Sequence, residues 1–268
     1  MKIENLGWRT ELLVLELSGS VLEDTGDHVV VRTPDNPGYW WGNFLLFRTP
    51  FAPGDLQTRL AAFRAEFPAA GHVAFGIDNV DGVIGAEDEL AGYTLERDVV
   101  MTTSEVVPPR RPNEESTYRF LSSADDWEQS LQLNLTTAPM KVDEGYIRFA
   151  RAKVASRRAL VDAGHGQWFG AFDGDRLQST LGLVFDGNGL ARFQAVQTHP
   201  DDRNRGIAST LVHRASTYGL TEGGASTLVM VADPGYLAIR LYRALGFKDT
   251  ETKVQITLPP DDVAGLET

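Results

Sequence analysis

The segment VQTHPDDRNRGIASTLVHRA, residues 196–215, carries the residue types with the clearest chemistry in the chain. Arg203, Asn204, Arg205, Gly206, Ile207 and Ala208 spell R-x-x-G-x-A, followed by Ser209, where an apolar strand pattern gives way to a helical one. The first turn of a helix has N–H groups without intrahelical partners, and its dipole adds partial positive charge there. A preceding loop free of bulky side chains lets several such groups converge on one anion. Gly206 removes a side chain at closest approach, Ala208 keeps the next turn slim, and Arg203 and Arg205 supply charge. The pattern suits a pyrophosphate; by itself it reads more simply as a glycine turn with a solvated arginine pair.

A second group lies in GYLAIRLYRALGF, residues 235–247, where Ala238, Leu241, Tyr242 and Leu245 share one helical face and Gly246 ends the helix. A phenol with an ordinary pKa near ~10 is protonated at neutral pH, so Tyr242 can donate a proton. It can also be a core aromatic. The candidates for a base are poorer. Gln194 and Arg192 accept no proton at neutral pH. Glu144 begins a helix and reads first as a surface carboxylate. His199 and His165 sit in turns, and no two histidines have ligand spacing, so no metal site is expected. Arg148, Arg151, Lys153, Arg157 and Arg158 read as a solvated helix face. Trp40 and Trp41 fall in an expected strand and read as packing residues, with the wall of an acceptor cleft as the alternative.

These groups need elements to hold them, and the chain of 268 residues is long enough for one large domain or two modest ones. A net charge of −12 argues against a nucleic-acid footprint. There are no cysteines, which excludes disulfides and thiolate chemistry. No signal peptide and no apolar run of ~20 residues is visible, so a soluble cytoplasmic protein is expected, with no membrane contact. The stretch SEVVPPRRPNEES, residues 104–116, reads as a linker, and residues 261–268 as a tail. After the linker come a strand at 118–123, a helical stretch at 126–133 and a longer helix at 143–163. Three antiparallel strands follow over 167–198, joined at DGD and DGNG. A helix from Ile207 to Gly219, a buried strand at 226–232, the Tyr242 helix and a last strand, KVQITL, complete the order. Residues 1–103 repeat the end of this order more weakly: strands at HVVVRT and YWWGNFLLFR, a helix with Leu56, Leu60, Phe63 and Phe67 on one face, a strand at HVAFGID, a short helix at GAEDELAGY and a closing strand at ERDVVMTT. The expected fold class is α/β with mixed sheet.

With both motifs in their expected elements, residues 118–258 resemble the GNAT superfamily of N-acetyltransferases. In that family R/Q-x-x-G-x-G/A binds the pyrophosphate of acetyl-CoA, and A-x-x-L-Y-x-x-x-G-F closes the acyl pocket. The resemblance implies two tandem GNAT-like units: residues 1–103 a degenerate one, residues 117–260 the catalytic one. It implies acetyl-CoA as cosubstrate, held by main-chain groups of Val196 and Thr198 along the pantetheine arm and by N–H groups from Arg203 to Ser209 at the pyrophosphate. Tyr242 matches the tyrosine that protonates the departing thiolate. The chain departs from the family pattern at Asn204, often glycine, and at Gly235, often asparagine, where Asp233 is expected to cap the helix. In the first unit TPFAPGD replaces the arginine loop, and its prolines remove N–H groups that a pyrophosphate needs. The implied function is acetyl transfer to a small-molecule amine, by a monomer or homodimer; the alternative is an acyl-CoA-binding or ligand-sensing module without turnover. The acid excess, 37 acidic against 25 basic residues, favours a cationic acceptor.

Overall fold

A computed structural model describes residues 1–139 and 141–259. The tail expected at 261–268 lies outside the described residues. The chain divides into two compact units, one of residues 1–100 with those from Glu251 onward, the other Met101–Thr250.

The first unit opens with α1 (Leu6–Leu17), which the sequence reading left unassigned. Trp8, Leu12 and Leu15 stand on one face and are buried, and the Asn5 side chain caps the helix by accepting the Trp8 N–H. Then come β1 (Val21–Asp24), β2 (His28–Arg32), β3 (Phe44–Phe47), α2 (Asp55–Glu66), β4 (Val73–Ile77) and β5 (Thr94–Thr103). β1, β2 and β3 pair antiparallel in succession, and β3 pairs parallel with β4 across the α2 crossover. Trp40 and Trp41 are in a 3-10 turn, Trp40–Gly42, and not in a strand. Their rings pack within this unit, Trp40 stacked on His72 at 5.7 Å and Trp41 against Trp8 at 5.9 Å. The short helix expected at 85–93 is reduced to a 3-10 turn, Glu87–Leu90.

The second unit holds β6 (Thr117–Phe120), α3 (Ala124–Thr136), α4 (Glu144–Asp162), β7 (Gly166–Asp173), β8 (Arg176–Phe185), β9 (Leu190–Thr198), α5 (Ile207–Thr221), β10 (Thr227–Ala232) and α6 (Ala238–Ala244). A capping box starts α3: Ser123 Oγ accepts the Asp126 N–H and Asp126 returns the bond to the Ser123 N–H. β6 to β9 pair antiparallel in succession, and β9 pairs parallel with β10 across α5. β7-β8-β9-α5-β10 thus repeats, pairing for pairing, β1-β2-β3-α2-β4. α5 runs two residues past Gly219. That glycine does not stop the helix; a Cβ there would stand 2.8 Å from a Leu183 methyl, so it lets α5 approach β8. Residues 104–116 contain no helix or strand, yet they are bonded to the second unit: the Asn113 N–H donates to Thr210 Oγ1 at 2.8 Å and the Val107 N–H to Leu245 O at 2.9 Å.

The last strand, β11 (Lys248–Leu258), corrects the boundary drawn at 117–260. It pairs antiparallel with β4, Val254 opposite Ile77 and Leu258 opposite Val73, so residues 254–258 complete the first unit's sheet. Val254, Ile256 and Leu258 are buried in the cluster that includes Phe75 and Ile77, and their alternation suits that face alone.

Candidate acyl-CoA site

The site is built where β9 leaves its neighbours. β9 and β10 stay paired only as far as Arg192 and Val229. Beyond that, Gly182 opposes Gln194 while Thr180 opposes Gln197, so β9 has one residue more than β8 over this stretch. The extra residue is a bulge at Ala195, whose φ is +48°, and a bulge bends the strand that carries it. The diverging strands enclose a cavity of about 200 Å³, lined by Gln194, Ala195 and Val196 of β9, Met230 and Val231 of β10, and Ile239 and Tyr242 of α6. The His199 N–H donates to Gln178 O of β8. Alternation along extended backbone therefore turns the N–H groups of Thr198 and Val196 to the other edge, the one β10 has vacated.

At the end of β9 the chain turns through Pro200–Asp202 into the loop before α5. Asp202 is buried and orders this turn: both its oxygens accept from Arg176, at 2.7 and 2.9 Å, and Oδ1 also accepts from Gln178. The Arg176 guanidinium holds the Asp202 carboxyl below its ordinary range. Asn204 has φ +61° and Gly206 φ +75°. Asn204 is among the non-glycine residues that best tolerate this left-handed backbone. Gly206 has a second constraint, since a Cβ would meet Arg111 O at 2.5 Å. From Asn204 to Ser209, no main-chain N–H donates to any group among the described residues; the helical ladder begins with Thr210 N–H to Gly206 O. The result is a run of unsatisfied donors at a helix N-terminus, suited to a diphosphate.

Two sequence expectations change here. The Arg203 N–H is not part of the row, because it bonds Pro200 O at 3.3 Å. Arg205 offers less charge than expected, because its guanidinium is paired with Glu115 at 2.8 Å and Asp202 at 3.2 Å. Arg203 is exposed, with Nε 3.4 Å from Thr198 O.

Tyr242 is buried on the cavity wall, and burial pushes its pKa well above the ordinary phenol value. Asp233 and Tyr236, which the sequence reading did not assign to a site, also line the cavity. Asp233 does not cap α6; its carboxylate accepts the Gly235 N–H at 2.7 Å and closes the turn before the helix. The signal was the D-P-G tripeptide, which marks a turn at the mouth of whatever β10 leads to. Glu144 is solvated, its side chain 95% exposed. His199 Nδ1 accepts the Asp201 N–H, and His165 lies exposed in the turn before β7. Of the basic set, Arg148, Arg151 and Arg158 form loose pairs of 3.6–3.9 Å on the surface, whereas Arg157 lies over the Trp168 ring. Among the described residues no cluster of histidine and carboxylate could hold a metal ion, and no helix is long and apolar enough to cross a membrane.

The first unit treats the corresponding loop differently. Gly54, φ +88°, stands immediately before α2 as Gly206 stands before α5. Its N–H donates to both oxygens of Glu89, at 2.9 and 3.0 Å. The Ala52 N–H is taken by Asp55, the Phe51 N–H by Ile84 O and the Asp55 N–H by Ala52 O, while positions 50 and 53 are prolines. A carboxylate of the protein already lies where an anion would bind.

A β-bulged fourth strand splayed from its parallel neighbour, with open N–H groups at the following helix, decides the fold. This is the GNAT fold. The model of the FR47-like protein family matches residues 169–256, which span β7 to β11. A GCN5-related N-acetyltransferase from Kribbella flavida superposes with a TM-score of 0.65 at 16% identity, covering 95% of this chain and 96% of its own. A putative GNAT-family acetyltransferase from Novosphingobium aromaticivorans gives a TM-score of 0.56 at 19% identity, with the same coverage of both chains. A tandem GNAT protein from the clavulanic acid biosynthesis pathway gives 0.56 at 13% identity, covering 92% and 87%. No curated protein matches the chain.

Proposed function

We propose that the second unit transfers an acetyl group from acetyl-CoA to the amine of a small molecule by direct attack. The observation that carries this reading is the row of unsatisfied N–H groups from Asn204 to Ser209, which follows β9, the strand whose Gln194, Ala195 and Val196 line the cavity beside β10. The diphosphate would lie on that row, Ile207 and Ala208 included, and the pantetheine arm along the free edge of Val196 and Thr198. A neutral amine attacks the thioester carbonyl carbon and forms the new C–N bond. Main-chain N–H groups near Val196 hold the oxyanion. Collapse breaks the C–S bond, and Tyr242, kept protonated by burial, gives its proton to the leaving thiolate. The ammonium proton leaves through water, because Gln194 on the wall cannot accept it, and a proton returned through water restores the Tyr242 phenol. The site calls for no metal.

That same glutamine favours a second reading, an acyl-CoA-binding module without turnover. A CoA-release assay over a panel of amines separates the two: continuous thiol release supports the enzyme, and stoichiometric binding with no release supports the module. In both readings the first unit binds no CoA, since Glu89 and Asp55 satisfy the donors that a diphosphate needs.

A further inference from the structure

Residues 107–113, VPPRRPN, form a strap on the second unit that has no helix or strand and is fixed at both ends. The Val107 N–H donates to Leu245 O at the end of α6, and the Asn113 N–H to Thr210 Oγ1 near the start of α5. Asn113 is buried and anchors the strap further. Its Nδ2 donates to Arg205 O at 3.2 Å, and its Oδ1 accepts from the Ser116 N–H and the Tyr118 hydroxyl, each at 3.0 Å. Between the anchors, the prolines at 108, 109 and 112 lock their own φ and disfavour helical backbone in the residue before each. Arg110 and Arg111 are therefore presented on a stiff segment, although no secondary structure holds them.

The strap passes beside the open donor row. Arg111 O is the atom that a Cβ on Gly206 would meet at 2.5 Å, so the strap's backbone is in contact with the middle of the row. Arg110 and Arg111 are exposed, and neither has a hydrogen bond or ion pair among the described residues. The nearest carboxylates do not compete for them: Glu115 is paired with Arg205 and Asp202 with Arg176. The row itself offers neutral N–H groups, enough for a diphosphate. Coenzyme A carries a third phosphate, a monoester on the ribose, and such a group holds about −2 charge at neutral pH. A guanidinium, planar and always charged, binds a phosphate monoester through two parallel hydrogen bonds. Resting on the acetyl-CoA site proposed above, we infer that Arg110 and Arg111 bind the 3′-phosphate of the donor. They make the site select coenzyme A thioesters over their 3′-dephospho analogues.

The test is calorimetry with acetyl-CoA and acetyl-3′-dephospho-CoA, on the unaltered chain and on the double variant Arg110→Gln, Arg111→Gln. The unaltered chain is expected to bind acetyl-CoA at least about tenfold tighter than the dephospho form at low salt. Because both arginines are exposed, that preference shrinks as salt is raised to about 0.5 M. In the double variant it falls below about threefold, while affinity for the dephospho form stays within about twofold. The melting temperature does not change, since neither side chain has a partner to lose. Equal binding of the two ligands by the unaltered chain, a preference that survives in the double variant, or an equal loss of both ligands there overturns the inference. Failure of the unaltered chain to bind acetyl-CoA would instead refute the donor site on which it rests.

Discussion

Tyr242 is buried on the wall of a cavity that opens between two strands, and its burial keeps the phenol protonated far into alkaline conditions. If it delivers the proton to the leaving thiolate, Tyr242→Phe lowers kcat by ~10²–10⁴-fold and leaves the acetyl-CoA Kd nearly unchanged. Steady-state kinetics beside calorimetry check this, and a loss under about threefold makes Tyr242 a core aromatic. A second residue sets the acid limit of the site. The Arg176 guanidinium depresses the Asp202 pKa, so this carboxylate contributes stability that is fully present above the unfolded value of about 3.9 and is lost as pH falls through the lower folded value. Asp202→Asn is expected to be less stable than the unaltered protein at pH 7, with the gap closing below about pH 4. Urea midpoints across pH read it; a gap that stays constant to pH 2 contradicts the assignment. The arginine loop was legible by residue type because glycine and alanine at a helix start have a steric meaning. Asp202 was not legible, since its role depends on Arg176 and Gln178, which come from another strand.

At the scale of elements, periodicity in the sequence located the helices and strands of the second unit well, because each has a single apolar face to bury. It did not locate the bulge at Ala195, which creates the cavity, because one extra residue in a strand leaves no mark on composition. Trp40 and Trp41 were misassigned for a related reason: two adjacent aromatics fit a strand as well as a 3-10 turn until Trp8 and His72 are known to flank them. The helix N-termini offer the cleanest perturbation. Gly206 is a poor target, since any Cβ meets both a left-handed φ and Arg111 O. Ala208 is not: an aspartate in the first turn of α5 suits the helix dipole, as Asp55 does in α2. Ala208→Asp is therefore expected to keep the melting temperature or raise it slightly, while the new carboxylate repels the diphosphate and cuts acetyl-CoA affinity about a hundredfold.

At the scale of the whole molecule, the two units share the pairing order of three antiparallel strands, a helix and a parallel strand, and they differ at the loop that precedes that helix. The repeat was visible in the order of elements, and the TPFAPGD prolines already argued against an anion there. What no local pattern carried was the destination of β11, whose register is set by pairing with a strand some 180 residues earlier in the chain. Glu89 holds the Gly54 N–H while the row at Asn204–Ser209 is open, so the proposed function predicts that the units differ in ligand stoichiometry. Isothermal titration of the full chain and of Ala208→Asp with acetyl-CoA measures this directly. One equivalent per chain, lost in Ala208→Asp while the fold persists, is the expected result. No binding, two equivalents, or undiminished binding by Ala208→Asp would contradict the assignment of the donor site to the N-terminus of α5.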